Sequence, residues 1–297
     1  SKDEAFTQYG LIAESLEYPT DRSWIIFHLR KQARFNDGTP ITAADVIFTF
    51  NILIDKGNPF YQSYYADVQS VIALSPHSVR FNFKPGVNQE QALIIGQLTI
   101  LPKHYWKNRD FSSSSLDLPL GSGPYSIDKI DPGRRISYRR NENYWAKNLA
   151  INTGLYNFDT IVVDYYKDSS VLLEGLKAKQ YDFRLENSSK QWATGYRGTA
   201  LSQGNLIKQE INHQLPSGMQ GFIYNLRNPF FSDVRVREAI GLAFNFEWSN
   251  KSLFYNAYTR TQSYFSNSEL AATGLPDEDE LAILLPFKDK LPTAVYD

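Results

Sequence analysis

The sequence predicts an α/β protein with mixed sheets and more than one domain. Three observations carry that expectation. Segments that alternate polar and apolar residues, as half-buried strands do, are interspersed with segments whose apolar residues recur at helical spacing. A strand, a helix and a strand follow one another over 160–185, an order that suggests a crossover connection. The length, 297 residues, is enough for two domains on a prior of roughly 150 residues each.

The elements follow in order. Ser23 to Leu29 alternates weakly between Asp21 and Lys31 and reads as a strand. Asn36 to Pro40, Asn-Asp-Gly-Thr-Pro, is turn chemistry. Thr42 with Asp45 three residues on is the signature of a helix start. Val46, Ile47, Phe50, Leu53 and Ile54 then share one helical face, and Gly57-Asn-Pro59 ends the helix. Val79 to Phe83 is a clean strand, and Gln89 to Ile95 fits a short helix. Ser112 to Ser115, with prolines nearby, marks a boundary loop.

Beyond it, Gly121-Ser-Gly-Pro-Tyr125 is a glycine-punctuated entry into a β-hairpin. Gly121 and Gly123 allow backbone angles closed to other residues, and Pro124 opens a strand. Tyr125 to Ile130 and Ile136 to Arg140 alternate, and Asp131-Pro-Gly between them has the type II turn preference. Thr160 to Tyr166 reads as a strand, Ser169 to Lys179 as a helix with Leu172 and Leu176 four apart, and Asp182 to Leu185 as a strand. Gly221 to Leu226 is a further strand, followed by a turn at Pro229 and a helix capped by Ser232. Val236, Ala239, Ile240, Ala243 and Phe244 lie on one face of that helix. The boundary loop and the order of elements divide the chain into units of 1–116, 117–218 and 219–297.

Composition excludes several function classes. The 31 Lys and Arg balance 32 Asp and Glu, so no basic surplus points to nucleic acid or an anionic membrane. Without cysteine there is no disulfide, thiolate metal site or cysteine nucleophile. No run of about 20 apolar residues spans a membrane. The opening residues Ser1 to Glu4 are not a signal peptide. His28, His77, His104 and His213 are scattered and form no ligand spacing, so no metal or cofactor is expected. Gly121-Ser-Gly-Pro lacks the Lys of a phosphate loop, and no Gly-x-Ser-x-Gly elbow is present. No pair of carboxylates is positioned for glycoside hydrolysis. Asp233, Arg235 and Arg237 are either a functional constellation or, as their helical spacing favours, a polar face with lobe-bracing ion pairs. The 19 Tyr, 19 Phe and 5 Trp either pack a core or line a cleft.

The stretch 121–145, from Gly121-Ser-Gly-Pro-Tyr125 through Asp131-Pro-Gly-Arg-Arg135 to Asn141-Glu-Asn-Tyr-Trp145, resembles the signature of the family 5 extracellular solute-binding proteins. These are the peptide and nickel receptors of bacterial ABC importers. Trp24 to Arg30 with Ala33 to Val46, Asp159 to Val163, and Asn228 to Arg237 are similar to other blocks of the family, in the same order. Leu101 to Trp106, Phe244 to Trp248, Leu253 to Tyr255 and Ser268 to Pro276 resemble one branch, the YejA-like oligopeptide receptors. Asn245 departs from that branch, which usually has Asp there; both residues cap helices.

The resemblance implies a two-lobed periplasmic binding protein fold of type II with an extra small domain. The chain would be a fragment, because family members are considerably longer. It also implies an oligopeptide or peptide-like ligand held between lobes, a membrane ABC permease as partner, a periplasmic location, a monomer and no catalysis. Other solutes carried on the same fold are the alternative: a nickel chelate, haem or an oligosaccharide. A hydrolase is the reading from another class.

Two segments are the main candidates for ligand contact. The loop after Leu185 contains Glu186, Asn187 and Trp192; Asn187 or Ser188 is alternatively a plain helix cap there, and Trp192 is core or cleft. In this reading Glu186 meets a peptide ammonium group and Asn187 the peptide backbone. The second segment, Gln214 to Tyr224, contains Gln220, Gly221 and Phe222, whose backbone could pair with an extended ligand. The resemblance adds Tyr64, Tyr65 and Gln97 from the small domain, each alternatively a buried aromatic or a surface amide.

Overall fold

The computed structural model describes residues 4, 7–86 and 90–296. They form two compact units, one of Gln8–Val171 and one made largely of the residues from Leu172 onward. The first sheet, of four strands, carries the larger core cluster. Its strands are β1 (Ala13–Glu17), β2 (Trp24–Leu29), β3 (Val68–Ser75) and β4 (Ser78–Phe83), in the order β1-β2-β4-β3 with every pair antiparallel. Val79, Phe81 and Phe83 of β4 point into the core while Ser78, Arg80 and Asn82 do not. Helix α1 (Ala43–Lys56) lays the predicted face on this sheet, with Val46 and Leu53 buried and Ile47, Phe50 and Ile54 half-buried. Full burial of a side chain such as Phe81 is worth about 1.5–3 kcal/mol.

The helix starts as the sequence suggests. The Asp45 carboxylate accepts from the Thr42 N–H at 2.9 Å and from its hydroxyl at 2.8 Å, and its other oxygen accepts from the Lys103 N–H at 3.1 Å. One turn on, Thr49 is fully buried. Its hydroxyl donates to the Asp45 carbonyl at 2.7 Å and accepts from the Leu101 N–H at 2.8 Å. Short helices α2 (Phe60–Tyr64), α3 (Gln91–Gly96) and α4 (Lys103–Trp106) complete this part. The helix expected from Gln89 therefore forms from Gln91; Gln89 itself lies outside the described residues.

The hairpin is β5 (Tyr125–Asp131) and β6 (Arg135–Arg140), joined to β7 (Thr160–Asp164) in an antiparallel sheet of order β5-β6-β7. Its turn closes with the Arg134 N–H donating to the Asp131 carbonyl at 3.0 Å, and Gly133 takes the positive φ, +72°, that the type II turn requires. Gly121 and Gly123 do not have a positive φ. Arg135 grips Asp164 across the sheet through two hydrogen bonds, 2.5 and 3.0 Å, which hold the Asp164 carboxyl below its usual range. The hairpin is tied to the 36–40 turn. The Asn36 N–H donates to the Gly121 carbonyl at 2.8 Å, the Asn36 amide donates to the Ser126 hydroxyl at 2.8 Å, and the Asn141 amide donates to Asn36 at 3.1 Å.

The remaining elements are helical: α5 (Ser169–Lys177), α6 (Ser189–Thr194), α7 (Thr199–Ser202), α8 (Pro229–Ser232), α9 (Val234–Ala243), α10 (Phe246–Leu253) and α11 (Glu278–Leu284). Leu173 and Leu176 of α5, three apart, are buried with Tyr196 and packed by Tyr181, Trp192 and Leu206; Leu172 is half-buried.

Three local expectations differ from the structure. Every described strand pair is antiparallel, and 182–185 forms no strand, so no crossover joins it to β7. Gly221 to Leu226 is likewise irregular, and among the described residues no strand pairs with it. The long helix of the C-terminal region is capped by Asp233, whose carboxylate accepts from the Arg235 N–H at 2.9 Å; Ser232 instead ends α8. Asn245 caps α10, accepting from the Trp248 N–H at 2.9 Å.

Replacing Thr49 by Val keeps the shape but leaves the Leu101 N–H without its acceptor. A loss of about 1–3 kcal/mol in unfolding free energy is expected. Denaturant melts of Thr49→Val with an unchanged midpoint would contradict the role given to this hydroxyl.

Candidate functional site

The segment 183–187 reverses the usual pattern of an amphipathic strand. Burial alternates with period two, but the charged residues point inward and the apolar ones outward. The side chains of Arg184 and Glu186 are 6% and 4% exposed. Phe183 and Leu185 are 78% and 75% exposed, and Asn187 is exposed too. Two buried charges persist only when paired and hydrogen-bonded, and this pair is both. Arg184 Nη2 lies 2.9 Å from Glu186 Oε2 and donates to Gln191 Oε1 at 2.5 Å. Glu186 Oε2 also accepts from the Tyr196 hydroxyl at 2.8 Å, and Oε1 accepts from the Ser188 N–H at 2.8 Å. Burial and the adjoining Glu186 carboxylate push the Tyr196 phenol well above its usual value.

The following residues lock onto the same cluster. Ser188 caps α6, its hydroxyl accepting from the Gln191 N–H at 3.3 Å. Trp192 is half-buried, with its ring 5.9 Å from that of Tyr196 and its indole N–H donating to Glu210 at 3.2 Å. Lys208 Nζ stands 4.1 Å from the Trp192 ring centroid and donates to the Trp192 carbonyl at 2.6 Å. Gly195 permits the close packing: a Cβ there would lie 2.7 Å from Leu173 Cδ2 and 2.8 Å from the Gln191 carbonyl oxygen.

The structure thus brings Glu186, Asn187 and Trp192 together on one loop and helix. The Glu186 oxygens are engaged by its own unit, while Asn187 is presented outward. Gln220, Gly221 and Phe222 sit on an irregular exposed segment, Phe222 being 85% exposed. In the other unit Tyr65 belongs to the core, with half-buried Tyr64 against it at 5.3 Å between ring centroids. Burial, and then the neighbouring Tyr61 and Tyr64, push the Tyr65 phenol up to about 12. Gln97 is exposed at the end of α3, its amide 3.4 Å from the Leu93 carbonyl.

Sequence reasoning missed a cavity of about 310 Å³ beside the hairpin, walled by Arg140, Tyr144, Lys147, Asn152 and Tyr156. The Asn141-Glu-Asn-Tyr-Trp motif was its only sequence signal. Among the described residues no group of three or more His, Asp or Glu could hold a metal ion, and no helix is long and apolar enough to cross a membrane. Two of the histidines pair with carboxylates, His28 with Glu17 at 2.5 Å and His104 with Asp37 at 2.7 Å.

Residues 7–294 match the family described as bacterial extracellular solute-binding proteins, family 5, middle region. The protein YejA of Escherichia coli K12 is 44% identical over 297 residues, covering 100% of this chain and 49% of the relative. A protein of Agrobacterium fabrum C58 named as a probable peptide-binding protein YejA is 37% identical over 305 residues, covering 100% of this chain and 50% of the relative. The chain therefore spans about half the length of the curated relatives it matches. The structure of the oligopeptide-binding protein AppA from Bacillus subtilis, in complex with a nonapeptide, superposes with a TM-score of 0.72 at 21% identity, over 97% of this chain and 56% of that one. This likeness is one of fold.

The buried Tyr65 phenol makes stability depend on alkaline pH. Its folded pKa of about 12 lies above the ordinary value of about 10, so its contribution is complete below pH 10 and is lost as pH rises towards 12. Tyr65→Phe is expected to flatten the fall in melting temperature across that window. Identical pH slopes for the two proteins would contradict it.

Proposed function

The chain belongs to the bacterial extracellular solute-binding proteins of family 5, and we propose that the full-length protein is the periplasmic receptor of an ABC importer. It takes oligopeptides or peptide-like compounds into a cleft between its lobes and delivers them to a membrane permease. The observation that carries this reading is the 37% identity, along the whole chain, to the relative named as a probable peptide-binding protein. The nonapeptide held by the Bacillus subtilis neighbour on the same fold is in keeping with it.

In this reading the receptor makes and breaks no bonds and needs no cofactor. Ligand contacts to both lobes favour the closed state, because they are made fully only there. Hydrogen bonds to the peptide backbone are common to all sequences, so side-chain preference is set by what the cleft presents. The receptor acts as a monomer. The divisions 1–116, 117–218 and 219–297 are its subdomain boundaries. Asn187 and Trp192, with Gln220, Gly221 and Phe222, supply ligand contacts, as do Tyr64 and Gln97 on the small subdomain, where Tyr65 is a core residue behind Tyr64. Glu186 sets the charge beneath them.

Peptides that bind only the folded receptor raise its stability, by about 2.7 kcal/mol at roughly 100 times Kd. Thermal melts of the full-length protein against a peptide library should show upward shifts for some members, and mass spectrometry should recover those peptides intact. A library that shifts nothing, or peptides recovered in cleaved form, would defeat the proposal.

A further inference from the structure

We infer that the cavity beside the hairpin is a second binding site, for a small zwitterion of the size of a free amino acid. It lies within the unit Gln8–Val171, and none of the residues proposed above to touch peptide lines it. The site is independent of the peptide-binding reading.

The walls come from one stretch of chain, 124–156, which is the hairpin and the loop that follows it. The floor is polar although it is buried. Tyr144 and Asn152 are 4% and 7% exposed, and the Asn152 amide is oriented by donating to the Ala146 carbonyl at 2.8 Å. One side is held in an unfavourable conformation: Tyr156 has φ +58°, which a bulky residue rarely adopts. Its surroundings keep it there. Arg140 donates to its carbonyl at 3.5 Å, and its ring stands nearly perpendicular to that of Tyr144, 6.1 Å away between centroids. Backbone held in such a state by its neighbours is characteristic of ligand clamps.

The charges decide the ligand. Arg140 is already neutralised by Asp159. Glu142 and Lys147 line the same cavity with opposite charges, yet they do not pair. The Lys147 ammonium donates to the Glu142 main-chain carbonyl at 3.0 Å instead of to the carboxylate. Among the described residues no hydrogen bond or ion pair engages that carboxylate, and no carboxylate pairs with Lys147. A cavity that offers a free carboxylate and an ammonium with donors to spare matches a ligand carrying both opposite charges, as a free amino acid does. A seated stretch of polypeptide does not match it. Its main chain is neutral and would strip water from both charges without replacing it. The volume of about 310 Å³ is at the small end for ligand cavities, which run from about 300 to 1,000 Å³. It suits one amino acid whose side chain lies against the Tyr144 and Tyr156 rings.

The test uses the full-length protein and ligand-observed NMR with three probes. These are L-phenylalanine, N-acetyl-L-phenylalanine, which lacks the ammonium group, and L-phenylalaninamide, which lacks the carboxylate. Two charge-assisted contacts give a Kd near about 1 mM, so the ligand exchanges freely and is lost on purification. L-phenylalanine should bind about tenfold more tightly than either blocked form. Glu142→Gln should weaken L-phenylalanine about tenfold and abolish its advantage over the N-acetyl form. Lys147→Met should do the same for the amide. Both residues are exposed, so the ligand-free melting temperatures should stay near that of wild type. No saturable binding of L-phenylalanine up to about 10 mM would overturn the inference. Blocking penalties undiminished in the two variants would place the amino acid elsewhere and overturn it as well. A lowered ligand-free melting temperature in both variants would show that other parts of the full-length protein pair with these charges, which would also defeat it. The outcome of the peptide library bears on the peptide reading alone.

Discussion

A charge taken out of water must keep its partner, and in this chain that constraint fixes the segment from Phe183 to Trp192. Arg184 and Glu186 are both nearly inaccessible and 2.9 Å apart. Removing either would leave the other as an uncompensated buried charge, a loss of about 3–5 kcal/mol. The pair therefore cannot be loosened a little at a time. Tyr196 is drawn into the small core of Leu173 and Leu176 with its hydroxyl on Glu186, and α6 begins where Ser188 donates to the same carboxylate. Core, helix start and outward-facing loop are consequences of one buried contact.

Within the unit of Gln8–Val171, neutral hydrogen bonds join the hairpin to the 36–40 turn. Asn36 in a tight turn reaches Gly121 and Ser126 at the hairpin entry and receives the Asn141 amide. These four residues are far apart in sequence, yet they fix where the hairpin stands against the 36–40 turn. The arrangement explains why a turn and a glycine-rich entry, each unremarkable alone, occur in the same chain. Nearby, Ala33, Phe35 and Ile41 bury an apolar patch that includes Trp145, so the polar links are backed by packing.

Much of this fold was legible in the sequence, and the reason is local. The α1 face, the β4 alternation and the Asp131-Pro-Gly turn each depend on residues within a few positions of one another. The failures depend on partners. Asp182 to Leu185 alternates and Gly221 to Leu226 is rich in strand formers, but among the described residues neither has a strand beside it; Ile223 is 99% exposed. Alternation fixes the period, not which face turns inward, so nothing in Phe-Arg-Leu-Glu announces that the charges are buried. That outcome required Tyr196 and Gln191, which lie up to a dozen residues on. The shift of the helix cap from Ser232 to Asp233 is of another kind: both residues can cap, and the carboxylate that reaches the Arg235 N–H prevailed. For the candidate site, the sequence located the 186–192 loop but not the inward use of Glu186.

What the full-length protein carries decides between a peptide and another solute as its ligand. The most direct measurement is mass spectrometry of the small molecules released from the full-length protein, purified in its native state without refolding. The account predicts intact oligopeptides of varied sequence, released on unfolding and absent from a mock purification. A sugar, a metal chelate or another non-peptide solute recovered in stoichiometric amount would contradict it.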